Sequence, residues 1–460
     1  MVFGRTRFFH NIQHRHTQEM CSFLFTNRDA SDFHYVNEYM EKRGPDKTTI
    51  TEVGDHTFVH NILSITGEFR PQPFVNEERQ IVCVYNGEIY NAGNYSSDGE
   101  SIIPRYLQYG FYFPKHIDGE FAICLVDYAN RKIVVTTDTF STKPVWIAIE
   151  DGDIGVASYE SSLLRLGFKK PKKVSANTRM LIDLDTLKTQ DAGTVYDFKL
   201  DQHKTTFDDW NAAFAEAIRK RTANLREQLF IGLSSGYDSG AIACELLKQN
   251  VPHKAYSLTG TENMDVLMAR NALYKKEFIH DISTLPEHKR APLVSHIARY
   301  VEPFNNTIHS SSSDYNEYGT TIVDDHGAGS LAYVCLKAKK DNRKVYLSGS
   351  GADEIFSDYG FDGQKKYAHS NFGGLYPDDL STIFPWASFY GSSQETYIAK
   401  EEHVAGSYGL ETRYPYLDKY VVQEFLSLSP ELKNSHYKSV LYNYLTINHF
   451  PFSENEKIGF

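Results

Sequence analysis

Small residues followed by acids recur in the second half of this chain, in places where a strand pattern gives way to a helical one. Phe230-Ile231-Gly232-Leu233 runs into Ser234-Ser235-Gly236-Tyr237-Asp238-Ser239-Gly240, and a helical pattern follows. Ser234, Ser235, Gly236 and Ser239 are small enough for a polyanion to approach the backbone N–H groups, at which the next helix also points its positive dipole end. Asp238 is tolerable beside phosphate mainly when Mg²⁺ lies between them, so the ligand this turn predicts is Mg-ATP. An ordinary strand-to-helix turn with a capping Ser or Asp is the plainer reading. A second such turn, Ser348-Gly349-Ser350-Gly351-Ala352-Asp353-Glu354, follows the strand pattern Lys344 to Leu347. Two such turns on one sheet would face one ligand.

The first half has a different set. Tyr85-Asn86-Gly87-Glu88-Ile89-Tyr90-Asn91 is followed by Ser97-Asp98-Gly99-Glu100, and Cys21 lies far upstream. Asn-Gly is by itself the usual dipeptide of a tight hairpin turn.

The elements that must position these residues fall into two regions. From 21 to 195 the text reads as short strands (22–26, 57–65, 81–85, 121–127, 132–136, 145–149, 178–182) with helices at 32–42 and 100–109. This predicts mostly antiparallel sheet with flanking helices. Between about 186 and 205 the pattern loses periodicity and reads as a linker. Beyond it, helix 207–225, strand 229–233, helix 240–249, strand 254–258, helix 265–274 and strand 278–282 alternate, which predicts a doubly wound parallel sheet with the phosphate loop at the carboxyl end of its first strand.

Bulk composition narrows the class. The chain has 460 residues, 41% apolar and 23% charged, enough for two full cores, and no transmembrane span is visible. Its formal charge of −11 includes no long basic run, which argues against a nucleic-acid partner. Cys21, Cys83, Cys124, Cys244 and Cys335 are odd in number and widely spaced, so neither a disulfide framework nor a zinc site is expected, and a reducing cytoplasm fits. Residues 1–20 carry Arg5, Arg7 and Arg15 against Glu19 and read as an extension outside the mature chain.

In order, these motifs resemble those of the glutamine-hydrolysing asparagine synthetase family. Residues 21–195 resemble its class II glutamine amidotransferase domain, through Arg43-Gly44-Pro45-Asp46, Gln72-Pro73, Tyr85 to Asn91, Asp118 to Ala122 and Asp138 to Pro144. Residues 206–460 resemble its synthetase domain, through the two turns, Gly409-Leu410-Glu411-Thr412-Arg413-Tyr414-Pro415-Tyr416-Leu417-Asp418, and Lys438 before Leu441. The resemblance implies an N-terminal antiparallel β sandwich of the N-terminal nucleophile hydrolase type and a C-terminal doubly wound parallel sheet of the ATP-pyrophosphatase type.

It also implies roles. Cys21 would be the nucleophile, with its own α-amine as base; a free amine titrates at about 7.7 to 8.0. That requires synthesis from Met20 and removal of the methionine. Asn86 and the Gly87 N–H would form the oxyanion hole, and Glu88 and Asp98 would bind the glutamine ammonium group. Leu233, Ser234, Ser235, Gly236, Asp238, Ser239, Ser257, Ser348, Gly349 and Gly351 would hold ATP, Asp238 and Asp353 would hold Mg²⁺, and Lys438 would steady the phosphates. Glu354 would take the proton from ammonia, and Glu411 would bind substrate. Glu411 and Asp418 also have a structural reading, as a helix cap and an ion pair with Arg413.

Four positions depart from the family pattern: Ser235 stands where the phosphate loop usually has Gly, Ser350 where Glu is usual, Tyr442 where Arg is usual, and Ile62 where an arginine grips the glutamine carboxylate. The expected activity is therefore ATP-dependent amidation of a carboxylate, aspartate by default, in a possible homodimer. The alternatives are a glutaminase-deficient relative using ammonia or another amine on a different small acid, a ring-closing enzyme, and a non-catalytic scaffold. The segment 302–329, with Ser310 to Ser313 and Asp324-Asp325-His326, does not match an aspartate site, and the chain ends at Lys457-Ile458-Gly459-Phe460 before the family's usual closing segment.

Overall fold

The computed structural model describes residues 21–29, 31–63, 65, 69–223, 225, 228–260, 262–274, 278–304, 321–323 and 325–454. The extension 1–20, the serine run 310–313, Asp324, the side chain of His326 and the terminal 455–460 lie outside the described residues. The chain divides into two compact units, the first reaching Asp197 and including Tyr300–Glu302 and Ala405–Glu411, the second holding the rest.

Among the described residues twelve strands build the first unit: β1 (Ser22–Thr26), β2 (Lys47–Val53), β3 (His56–Ile62), β4 (Phe74–Asn76), β5 (Ile81–Ile89), β6 (Gly119–Asp127), β7 (Lys132–Thr137), β8 (Trp146–Glu150), β9 (Asp153–Ala157), β10 (Lys172–Lys173), β11 (Arg179–Asp183) and β12 (Thr189–Gly193). They form two six-stranded sheets, ordered β10-β8-β9-β1-β3-β2 and β12-β11-β7-β6-β5-β4, whose pairings are antiparallel. Period-two alternation explains the layering. Val82 and Val84 of β5 face inward, packing with Phe23, Phe25 and Phe58 of the opposite sheet. Ile81, Cys83 and Tyr85 face outward onto the helix Ile102–Tyr109, which buries Ile102, Ile103 and Tyr106. The result is the expected antiparallel β sandwich with flanking helices.

Two expectations needed revision. The helix expected over 32–42 is two short pieces, Phe33–Asn37 and Met40–Arg43, and nothing in the local sequence marks the break. The region read as linker contains β12, an edge strand paired with β11. From Thr189 to Ala192 its side chains are exposed, so it shows no apolar alternation.

In the second unit β13 (Gln228–Gly232), β14 (His253–Leu258), β15 (Ile279–Ser283), β16 (Arg343–Leu347) and β19 (Glu411–Arg413) form one sheet, ordered β15-β14-β13-β16-β19, after a small hairpin of β17 (Gly360–Phe361) and β18 (Gln364–Lys365). β13 pairs in parallel with both β14 and β16, and β14 with β15. Helices alternate with these strands, giving the expected doubly wound parallel sheet. Strands β13 and β16 are adjacent, so the two small-residue turns leave neighbouring carboxyl ends.

Candidate active sites in the two units

The phosphate-loop candidate follows β13 and feeds the helix Tyr237–Lys248, with Gly236 as its N-cap. Within the turn, Ser239 Oγ accepts from the Ser234 N–H at 2.9 Å and Ser234 Oγ accepts from the Gly236 N–H at 3.1 Å. Arg270, fully buried, donates from Nη2 to the Gly236 carbonyl at 3.0 Å and from Nη1 to the Ser234 carbonyl. A Cβ on Gly240 would lie 2.4 Å from Arg270 Nη2, so the glycine makes room for the guanidinium. Glu262 accepts from both the N–H and the hydroxyl of Ser235, each at 2.5 Å. Ser257 donates to the Leu233 carbonyl, tying β14 to the start of the turn.

The second turn leaves β16 beside the first. A Cβ on Gly349 would come within 3.1 Å of Asp238 Cβ, and at Gly351 (φ +96°) one would come within 2.4 Å of Leu417 Cδ2. Ser348 donates its N–H to the Arg413 carbonyl at 3.0 Å. Glu354 accepts from the Gly351 N–H at 3.1 Å and from the Tyr359 hydroxyl, closing the turn.

Lys438 joins the two turns. Its Nζ lies 2.6 and 2.7 Å from the Asp238 oxygens and 2.9 Å from Asp353 Oδ1, with the side chain almost wholly buried. Burial works against its charge, but the Asp238 and Asp353 carboxylates outweigh it and hold the ammonium well above the usual lysine range. Tyr437 donates to Asp353 Oδ1 at 3.1 Å, and Tyr416 donates to the Asp238 carbonyl at 2.6 Å. Tyr416 stacks on Phe214, which stacks on Trp210, so the loop is braced on the aromatic core.

Ser234, Asp238, Ser239, Gly349, Asp353, Glu354 and Lys438 line a cavity of about 210 Å³, closed by Tyr346, Tyr359, Tyr367 and Tyr397. Leu233, Ser235, Gly236, Ser257, Ser348 and Gly351 lie beside it in the two turns and on β14. Two carboxylates converging on one cation suit a divalent metal, which would replace or share the Lys438 contact. Among the described residues no group of three or more His, Cys, Asp or Glu is placed to hold a metal, so such an ion would need phosphate oxygens as further ligands.

At the third motif Asp418 is a helix cap, as expected, at the start of Lys419–Ser427, and its Oδ2 pairs with Lys220 at 2.6 Å and Arg221 at 2.8 Å. Arg413 donates to the Arg221 carbonyl at 2.7 Å. Glu411 begins β19 and is buried; it is not among the cavity-lining residues.

In the first unit Cys21 precedes β1. Its Sγ accepts from the Leu63 N–H at 3.2 Å and donates to the Leu63 carbonyl at 3.5 Å. Burial pushes the thiol up to about 12, against the Leu63 hydrogen bond, with the charges of Glu411, Glu88 and Asp98 adding to it. Asn86 and Gly87 lie within β5, opposite Ala122 and Phe121, which corrects the hairpin-turn reading. Gly87 (φ +141°) has no room for a side chain, since a Cβ would sit 1.9 Å from the Glu120 carbonyl oxygen. Asn86 Nδ2 is buried and has no hydrogen-bond partner among the described residues, as a donor reserved for a ligand would be. Glu88 is buried next to it. Asp98 accepts from the Tyr85 hydroxyl at 2.5 Å, the Ile89 N–H at 2.7 Å and the Gly99 N–H at 2.9 Å. Ile62 ends β3 with its side chain buried. Arg43 Nε donates to the Cys21 carbonyl at 3.3 Å.

Comparison with known proteins matches both units. A glutamine amidotransferase domain model covers residues 20–197 and an asparagine synthase model covers residues 209–389. A putative glutamine-hydrolysing asparagine synthetase of Methanocaldococcus jannaschii is 25% identical over 83% of this chain and 71% of its own length. Asparagine synthetase 1 of Saccharomyces cerevisiae is 24% identical over 86% of this chain and 73% of its own. Asparagine synthetase 1 of Arabidopsis thaliana is 24% identical over 86% and 67%. The chain belongs to the glutamine-hydrolysing asparagine synthetase family.

For a member of this family, sequence reasoning overlooked several supporting residues. Arg270 and Glu262 brace the phosphate loop from outside any motif, and neither charge pattern nor spacing marks them. Glu401 lines the same cavity from the helix Ser393–Ser407; its only sequence signal is a position shortly before the Gly409 to Asp418 motif.

Proposed function

We propose that this family member is an ATP-dependent ligase that adenylates a small carboxylic acid, aspartate by default, and amidates it with ammonia drawn from glutamine. The observation that carries the reading is the Lys438 ammonium held between Asp238 and Asp353 at the mouths of two small-residue turns. The hydroxyls of Ser234 and Ser239 and the N-terminal end of the helix Tyr237–Lys248 face the phosphates, and Ser348, Gly349 and Gly351 bring the second turn close enough to share them. Lys438 neutralises charge on the leaving pyrophosphate as the acceptor carboxylate attacks the α-phosphate. Asp238 and Asp353 hold Mg²⁺, which when bound offsets phosphate charge and orients the triphosphate.

In the amidotransferase-like region, 21–195, Cys21 attacks the glutamine side-chain amide. Because burial keeps its thiol protonated, the attack needs a base at the sulfur, the role of the α-amine when Cys21 is terminal. Asn86 Nδ2 and the Gly87 N–H receive the oxyanion, and Glu88 and Asp98 face the glutamine ammonium group.

A second reading has one specific observation behind it. Ile62 is buried at the end of β3 and offers the glutamine carboxylate no charged hydrogen bond, so glutamine is used poorly and free ammonia serves the synthetase region, 206–460. The test is release of AMP and pyrophosphate from ATP and aspartate, with either glutamine or ammonium. Release with both donors, with Cys21→Ala abolishing the glutamine-driven reaction alone, supports the first reading. Release with ammonium only supports the second, and release with neither, across a screen of small acids, refutes both.

A further inference from the structure

Ser350 leaves the second turn without the acid that the family usually carries there. A carboxyl from another element stands next to it. The helix Ser393–Ser407 brings Glu401 to the same cavity wall as Ser350, where it lines the space shared with Asp353 and Lys438. Burial pushes the Glu401 carboxyl up to about 7; the Ser348 hydroxyl, the Lys400 ammonium and the Ser350 hydroxyl work against that shift, and the Glu402 charge adds to it. Lys400 is itself drawn to Asp325 at 3.3 Å. Glu401 Oε2 is sealed from water without a hydrogen-bond partner among the described residues. Glu354, by contrast, has one oxygen on the Gly351 N–H and the other on the Tyr359 hydroxyl.

We propose that Glu401 is the base of the amide-forming step, supplying from the helix Ser393–Ser407 the carboxylate that the turn lacks at Ser350. This rests on the ligase reading above. The ammonia lone pair forms the C–N bond to the acyl carbon of the acyl-adenylate while the carbonyl π pair moves onto oxygen. An N–H proton passes to a Glu401 carboxylate oxygen. Collapse of the adduct then breaks the bond between the acyl carbon and the phosphate oxygen, which leaves with AMP. A carboxyl that lines the cavity and ionises near neutrality is matched to this transfer.

The experiment uses the full chain with ATP, Mg²⁺ and aspartate, and follows two half-reactions: pyrophosphate release without a nitrogen donor, and amide formation on adding ammonium. Glu401→Gln is expected to release pyrophosphate within about twofold of the wild type but to form amide about 100-fold more slowly, and to lose the acidic limb of the amide rate's pH profile near pH 7. Ser350→Glu added to Glu401→Gln restores part of the amide rate by moving the carboxyl across the cavity. Glu401→Asp, which keeps the charge but draws it back by one methylene, is slowed about tenfold in the amide step and serves if the glutamine variant does not fold. Wild-type amide rates in either single variant overturn the proposal, as does equal slowing of both half-reactions, which marks a positioning residue. A wild-type chain that releases no pyrophosphate with aspartate instead overturns the ligase reading, and the proposal with it.

Discussion

Lys438 joins the two small-residue turns through Asp238 and Asp353, and on the proposed function its removal has two separable effects. Lys438→Met leaves Asp238 and Asp353 facing one another without their shared cation, which costs about 3 kcal/mol or more in the metal-free chain. Pyrophosphate release falls at least about 100-fold, while glutamine hydrolysis in the other unit is unchanged. Added Mg²⁺ recovers part of the lost thermal midpoint if both carboxylates hold the ion, and a midpoint insensitive to Mg²⁺ contradicts that assignment. His60 carries a pH prediction. It is fully buried on β3, and burial lowers its pKa to about 3, against the opposing pull of the Tyr85 backbone carbonyl. Its folded-state pKa is thus below the unfolded value of about 6.5, so its contribution is complete above pH 6.5 and is lost as pH falls towards 3. His60→Phe should therefore flatten urea-unfolding stability against pH across that window. An unchanged slope contradicts the burial argument. The motif residues were legible in the sequence because their types are unusual where they stand. Arg270, Glu262 and Glu401 were not, since each is an ordinary charged residue on a helix or loop whose partner is supplied only by the fold.

At the scale of elements, two glycines set how closely backbones approach. Gly240→Ala puts a Cβ against the Arg270 guanidinium that holds the Ser234 and Gly236 carbonyls. Affinity for ATP should weaken about tenfold and stability fall by about 1–3 kcal/mol, measured by nucleotide titration and thermal unfolding. Gly87→Ala drives a Cβ into the Glu120 carbonyl and parts β5 from β6, so glutamine hydrolysis is lost while ammonium-driven pyrophosphate release persists. Loss of both activities would contradict this separation. The strands were readable from the sequence where both faces are buried, as in β1, β5 and β6, because each contains a short apolar run. β12 was missed because its side chains all face water. Asn86-Gly87 carries a turn signal, yet β5 runs through it as strand; pairing with β6 overrides the local preference of the dipeptide.

At the scale of the whole molecule, the order of motifs made both fold types legible before any geometry was known, and the two domain models cover residues 20–197 and 209–389. What the sequence could not supply was the convergence of Asp238, Asp353 and Lys438, residues 200 positions apart at the extremes, because their meeting depends on β13 and β16 being neighbours in the sheet. Among the described residues no helix is long and apolar enough to cross a membrane. The central claim is that the acceptor carboxylate itself attacks ATP at the α-phosphate. The most direct measurement supplies aspartate with both side-chain carboxylate oxygens as ¹⁸O, together with ATP, Mg²⁺ and ammonium, and weighs the nucleotide product. The account predicts AMP heavier by one ¹⁸O atom, carried over when the acyl–oxygen bond breaks. Unlabelled AMP, or ADP with labelled phosphate, would contradict it.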